Sequence, residues 1–186
     1  MQNNIQALIL VDIQNDYFPG GKNALEGSPE AGFNAAILLS KFRQLNLPVV
    51  HIQHFSTRPG ATFFIPGTQG VEIHTSVTPQ QGETVFQKHF PNSFRETPLF
   101  DHLSQPGIKK LVIAGMMTHM CIDATTRAAY DLGFECLLAH DACATRDLKF
   151  KDKLIPASHV HGAFLAALES YARVLSVEEI LLQVND

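Results

Sequence analysis

Residues 111–133 read LVIAGMMTHMCIDATTRAAYDLG, and the rest of the chain is organised around this stretch. Leu111 to Ala114 is a short apolar run of the kind that forms a strand buried on both faces. Gly115 breaks the run, and Thr118 offers a side-chain cap for a helix beyond it. From Cys121 onward the composition is helical, and Gly133 is placed to close the helix. Cys121 is therefore expected in the first turn of a helix leaving the carboxyl end of a buried strand. Unpaired backbone N–H groups and the positive end of the helix dipole favour a thiolate there. The arrangement parallels the strand–turn–helix elbow that presents a catalytic serine in α/β hydrolases. The competing reading is plain: most free cysteines are small buried hydrophobes.

Working outward, strands alternate with helices. Gln6 to Asp12 reads as a buried strand ending on an acid, and 29–46 as a helix with Phe33, Ala36, Ile37, Leu38 and Phe42 facing the core. Pro48 to Phe55 is a second strand. Its His51 and His54, three apart, point to opposite faces and read as core or rim histidines. Residues 56–82 form a long loop rich in proline and glycine, in which Arg58, Phe63 and Phe64 can wall a pocket. A short strand over 83–87 delivers Lys88, and a helix over 98–105 leads to the central strand. Strands over 135–140 and 172–177 and helices over 156–171 and 178–183 complete the chain, with Pro156 at the first helical position. Such alternation predicts one three-layer αβα domain over residues 1–186 with a mainly parallel six-stranded sheet. By fold-level analogy, right-handed crossovers and a Rossmann-like order 3-2-1-4-5-6 set the strand ending in Asp12 beside the one preceding Cys121. Open α/β sheets collect their functional groups at that switch point.

Bulk properties narrow the function. A chain of 186 residues with 45% apolar and 17% charged residues is ordinary for a globular protein. A net charge of −4 without a basic cluster gives no case for nucleic acid. No apolar run approaches the ~20 residues of a membrane helix, and no positive segment precedes the first apolar run. Cys121, Cys136 and Cys143 are odd in number and lack a CxxC pair, so reduced thiols and a cytoplasmic location are expected.

Three segments together, LVDIQNDYF with Asp12, VFQKHFPNSF with Lys88, and VIAGMMTHMCIDATTRAAYDLGF with Cys121, closely resemble the isochorismatase-like cysteine hydrolases. The resemblance extends to HDACATRD at 140–147 and covers nearly the whole chain. It implies a catalytic triad of Asp12, Lys88 and Cys121, a cis peptide at Met116–Met117, and an oxyanion hole from the backbone N–H groups of Met117 and Cys121. Nicotinamidases of this superfamily bind a divalent metal through an Asp-x-His pair after the second strand. His54 and Ser56 stand there instead, so neither metal nor other cofactor is expected. Isochorismatases proper cleave a vinyl ether and many lack the cysteine; Cys121 tilts the expectation toward amide or ureido C–N hydrolysis through a thioester. Vinyl-ether hydrolysis and a non-enzymatic binding or redox-sensing role are the alternatives. Tyr17, Phe18, Phe63, Phe64, Phe94 and His119 are candidates for a partly aromatic pocket around a small-molecule substrate. A homo-oligomer, a dimer or larger, is expected from the family.

Overall fold

The structure is a computed structural model that describes residues 6–184 except Pro106. Strands β1 (Gln6–Val11), β2 (Val49–His54), β3 (Thr84–Lys88), β4 (Lys110–Met116) and β5 (Glu135–Ala144) are separated by helices α1 (Ser28–Gln44), α2 (Leu99–Ser104) and α3 (Asp123–Asp131), except that the long loop with two short 3-10 turns joins β2 to β3. A hairpin of β6 (Leu148–Phe150) and β7 (Lys153–Ile155) comes next, then α4 (Ala157–Leu168), β8 (Arg173–Leu175) and α5 (Val177–Leu181). The sheet order is β3-β2-β1-β4-β5-β8, and each neighbouring pair is parallel. This is the expected order, with β8 as its sixth strand. The separate antiparallel hairpin lies in a segment whose residues read as loop.

Alternation along the strands builds two cores. Leu8 and Leu10 of β1 pack with Leu38 and Phe42 of α1 and Ile180 of α5 on one face. Ala7, Ile9 and Val11 pack with Leu103 of α2, Ile122, Ala129 of α3 and Leu168 of α4 on the other. Phe33, expected in the core, is 67% exposed; Ala35 and Leu39 take up the buried face of α1 instead. Pro156 caps α4 from outside rather than occupying its first turn, and α4 ends at Leu168, short of Tyr171.

The active end is shaped by close approach of β1 and β4. Gly115 has φ +133°, and a Cβ built on it would lie 2.0 Å from the Val11 carbonyl oxygen. Only glycine fits that junction. Gly133, at φ +89°, ends α3 as the sequence implied. Among the described residues no helix is long and apolar enough to cross a membrane.

Candidate active site

Three parallel strands end together, and each hands over a polar side chain. Asp12 follows β1 directly and takes the left-handed conformation (φ 52°), which aspartate tolerates better than most residues. Lys88 is the last residue of β3, paired in register with His54, the last of β2. Beyond β4 the Met116–Met117 peptide is cis, and residues 118–122 form a π-helical turn that continues into α3. Cys121 sits in that turn. The side chain of Thr118 does not cap the helix; its hydroxyl donates to the Ala144 carbonyl at 3.3 Å and meets His161 Nδ1 at 2.9 Å.

Lys88 is the hub. Its Nζ lies 2.7 Å from Asp12 Oδ2, 3.0 Å from His54 Nδ1, 3.1 Å from the Phe90 carbonyl and 3.2 Å from Cys121 Sγ. Asp12 and Lys88 are an ion pair whose side chains are wholly removed from solvent. Burial lowers the pKa of the Lys88 ammonium, but the Asp12 carboxylate and the Cys121 sulfur together outweigh it and hold the pKa above the usual 10.5. The second carboxylate oxygen, Asp12 Oδ1, is buried and has no hydrogen-bond partner among the described residues. A free buried acceptor beside a thiol is a ready receiver for its proton.

The Cys121 thiol corrects the expectation of a thiolate. Burial first, and the Asp12 carboxylate second, push its pKa well above the ordinary thiol value, and Lys88 only partly opposes them. The helix-terminal position cannot outweigh both effects, so the resting group is the neutral thiol. Cys136 and Cys143 are also raised, each to about 12, chiefly by burial.

His54 belongs to the site, not to the rim. A lysine ammonium can only donate, so His54 Nδ1 accepts and its proton lies on Nε2. Burial lowers the pKa of this ring to about 4, so it is neutral. Asp12, His54 and Cys121 present ligand atoms within 4.8 Å of one another, a spacing that could suit a metal ion. The Lys88 ammonium, however, already contacts Asp12 Oδ2, His54 Nδ1 and Cys121 Sγ. A divalent ion there would face a buried positive charge, so these residues do not fit one.

Above the triad lies a cavity of about 360 Å³ walled by residues 56–64 of the long loop together with Tyr17, His54, Met117, Met120, Cys121 and Arg146, among others. Asp16 pins the loop: its carboxylate accepts from the Phe64 amide at 2.6 Å and from the Lys22 amide at 3.1 Å. Of the aromatic candidates, Tyr17, Phe63 and Phe64 line the cavity. Phe18 is instead stacked on His74 with ring centroids 3.5 Å apart, and Phe94 is stacked on Phe134 at 6.1 Å. His119 turns to the Thr145 hydroxyl at 2.6 Å. Sequence reasoning missed His54, Met120 and Arg146. For His54 a signal existed, because in-register parallel strands set their terminal residues side by side.

Comparison with known proteins agrees with this geometry. The family model described as the isochorismatase domain matches residues 6–179. The protein YddQ of Bacillus subtilis strain 168, itself an uncharacterized isochorismatase family protein, is 53% identical over 94% of this chain and 98% of its own length. Streptothricin hydrolase of Streptomyces noursei is 37% identical over 77% of this chain and 56% of its own length. A crystal structure from Oleispira antarctica, of a protein assigned to the isochorismatase hydrolases, superposes with a TM-score of 0.93. It shares 54% identity and the alignment covers 98% of both chains. From a six-stranded parallel sheet that gathers Asp12, Lys88 and Cys121 at its switch point, and from a family match over nearly its whole length, the chain belongs to the isochorismatase family and is a hydrolase.

Proposed function

We propose that the protein is a metal-independent cysteine hydrolase that cleaves a C–N bond of a small amide or ureido compound. The observation that carries this reading is Lys88 Nζ, 2.7 Å from Asp12 Oδ2 and 3.2 Å from Cys121 Sγ, beneath an open cavity. Relatives with assigned activities include a nicotinamidase and a maleamate amidohydrolase, which supports C–N over vinyl-ether cleavage.

In the reaction, the Cys121 S–H proton passes to Asp12 as sulfur bonds to the substrate carbonyl carbon. The carbonyl π pair moves onto oxygen, where the backbone N–H groups of Met117 and Cys121 stabilise the charge. Collapse of the tetrahedral species breaks the C–N bond, and the leaving nitrogen takes the proton from Asp12. Water then gives a proton to Asp12 as it adds to the thioester carbonyl. The departing thiolate recovers that proton, and the acid is released. Lys88 keeps its charge throughout and offsets the repulsion between Asp12 and any thiolate, about 4 kcal/mol at ~4 Å and a dielectric near ~20.

The test is a panel of small amides and ureido acids scored for ammonia release, with trapped acyl-enzyme located by mass spectrometry. An acyl group on Cys121 and its loss in Cys121→Ala are expected. Pyruvate release from a vinyl ether, undiminished in Cys121→Ala, would assign the alternative chemistry. Activity that vanishes with a chelator and returns with one divalent ion would overturn metal independence.

A further inference from the structure

The turn that carries Cys121 is held from behind at two consecutive residues. Met117, Met120 and Cys121 line the catalytic cavity, whereas Thr118 and His119 between them turn to neighbouring elements. Thr118 Oγ1 lies 3.3 Å from the Ala144 carbonyl oxygen of β5 and 2.9 Å from His161 Nδ1 of α4. His119 Nδ1 lies 2.6 Å from Thr145 Oγ1, one residue beyond β5, and its ring packs edge-on against Phe164 of α4 with centroids 6.0 Å apart. His161 and Phe164 are three apart, so a single face of α4 serves both contacts. Each of two adjacent turn residues is thus tied to the end of β5 and to α4.

Thr118 is wholly removed from solvent. A buried hydroxyl costs free energy unless it is hydrogen-bonded, and valine has the same outline without one, so packing alone does not call for threonine here. His161 is half-buried, and burial holds its pKa below the usual 6.5, so the ring is uncharged at neutral pH. A hydroxyl both donates and accepts, so the 2.9 Å bond forms with either tautomer of that ring. What the bond fixes is backbone. A peptide N–H lies in the plane of its peptide unit, and its direction follows from the φ and ψ of the turn. Whatever pins the turn therefore aims its N–H groups. Met117 directly precedes Thr118, and Cys121 follows three residues after it.

We propose that His161 is a positioning residue for the oxyanion hole: through Thr118 it holds the turn so that the Met117 and Cys121 N–H groups converge on the substrate oxygen. The inference rests on the reading of Cys121 as a nucleophile that forms an acyl-enzyme. Neither His161 nor Thr118 touches the substrate. Their effect is confined to the step in which the carbonyl oxygen gains charge, so it falls on kcat rather than on KM. It does not extend to reactions of the same sulfur that create no oxyanion.

Two reagents separate these cases without knowledge of the substrate. p-Nitrophenyl acetate acetylates Cys121 through a tetrahedral oxyanion: sulfur bonds to the acetyl carbon, p-nitrophenolate departs and the thiol proton passes to Asp12. Iodoacetamide alkylates the same sulfur at a saturated carbon with loss of iodide, and no oxyanion forms. Acetylation is read as p-nitrophenolate release corrected with Cys121→Ala, and alkylation by peptide mapping. Thiol ionisation enters both rates, so their ratio, acetylation over alkylation, reports on the oxyanion hole. In the unmodified protein it should exceed the ratio for glutathione in the same buffer by about 100-fold, the scale of one oxyanion donor. His161→Leu and Thr118→Val should each lower it by roughly tenfold, since displaced donors weaken without being lost. His161→Asn, whose amide can replace Nδ1, should retain most of it. Because His161 acts through Thr118, the double variant should fall no further than either single one. Thr118→Val removes one hydroxyl and carries the test if His161→Leu does not fold. A ratio that both single variants leave unchanged, His161→Asn as impaired as His161→Leu, or additive losses in the double variant overturns the proposal. The two readings fail separately: a ratio equal to that of glutathione in the unmodified protein removes the oxyanion hole and the acyl-enzyme with it, whereas a high ratio that the variants leave intact removes this inference alone.

Discussion

An ammonium has three protons, and four acceptors surround the one at Lys88. Neutral thiol sulfur is the weakest of the four, so in the resting site it is the acceptor left over; as a thiolate it becomes one of the strongest. In the proposed reaction Lys88 thus stabilises the Cys121 thiolate only when it forms. Lys88→Met should raise the Cys121 pKa further, whereas Asp12→Asn, which removes the second-largest cause of the rise, should lower it; shifts of about 1–3 pH units are expected. Both substitutions should abolish turnover, the second for want of a proton acceptor. Thiolate absorbance against pH separates the two, and movement in the same direction would refute the assignment. Lys88→Met should also cost about 3–5 kcal/mol of stability, because it leaves the Asp12 carboxylate buried and unpaired. In the unmodified protein, alkylation of Cys121 should keep accelerating past pH 9, and a plateau below pH 7 would show a preformed thiolate. That Asp12, Lys88 and Cys121 come together was legible in the sequence because Asp12 and Lys88 sit at strand ends and Cys121 in the turn beyond the central strand, all within recognisable segments. The state of the thiol was not, since position in a helix is local while desolvation and the Asp12 charge come from the fold.

At the scale of elements, two junctions hold the site in register. At the first, β4 passes so close to β1 that Gly115 has no room for a side chain. Gly115→Ala should therefore destabilise the protein by about 2–4 kcal/mol, through both the forbidden φ and the clash with Val11. Urea unfolding measures this, and a loss under about 1 kcal/mol would mean that the strands can separate freely. At the second junction, Asp16 secures the loop that walls the cavity. A Cβ on Gly70 would lie 2.2 Å from Asp16 Oδ1, so the loop is fitted closely around that carboxylate. Asp16→Ala strands the buried Phe64 amide and should weaken the loop by about 1–3 kcal/mol. Faster hydrogen exchange at Phe64, with exchange in β1 and β4 unchanged, is the expected signature. The strands were readable because buried parallel strands are continuous apolar runs separated by intervening segments, whereas their order came from fold-level analogy with open α/β sheets. The hairpin of β6 and β7 was not, since its turn, Lys151–Asp152, lacks the usual glycine and relies on Lys151 at φ 53°. Phe33 misled for a similar reason: its position fits the helical period, but the stripe that meets the sheet runs through Ala35 and Leu39.

For the molecule as a whole, burial of neutral histidines ties stability to acid. His51, His54, His74, His119 and His161 all have pKa values below the usual 6.5, in each case chiefly through burial. For His54 the value falls to about 4. In the unfolded chain this ring takes up a proton as pH drops through ~6.5, while in the folded protein it stays neutral to about 4. The unfolded state then binds more protons, so stability is full above pH ~6.5 and declines as pH falls toward 4. A shift of this size corresponds to about 3 kcal/mol for His54 alone. Glu83 extends the decline. Burial would raise its pKa, but the Arg43 guanidinium, the Gln80 amide and His51 outweigh burial and bring it to about 2. Its contribution is present above pH ~4.5 and is lost as pH falls toward 2. His54→Gln isolates the first component, because the amide oxygen can still accept from Lys88 while the side chain no longer titrates. Chemical unfolding from pH 7 to pH 4 should show a shallower loss of stability in His54→Gln than in the unmodified protein, by about 2–3 kcal/mol at pH 4. Parallel curves would mean that His54 is protonated in the folded site. Its Nδ1 would then carry a proton, Lys88 could not donate to it, and the neutral-imidazole assignment on which the hub geometry depends would fall.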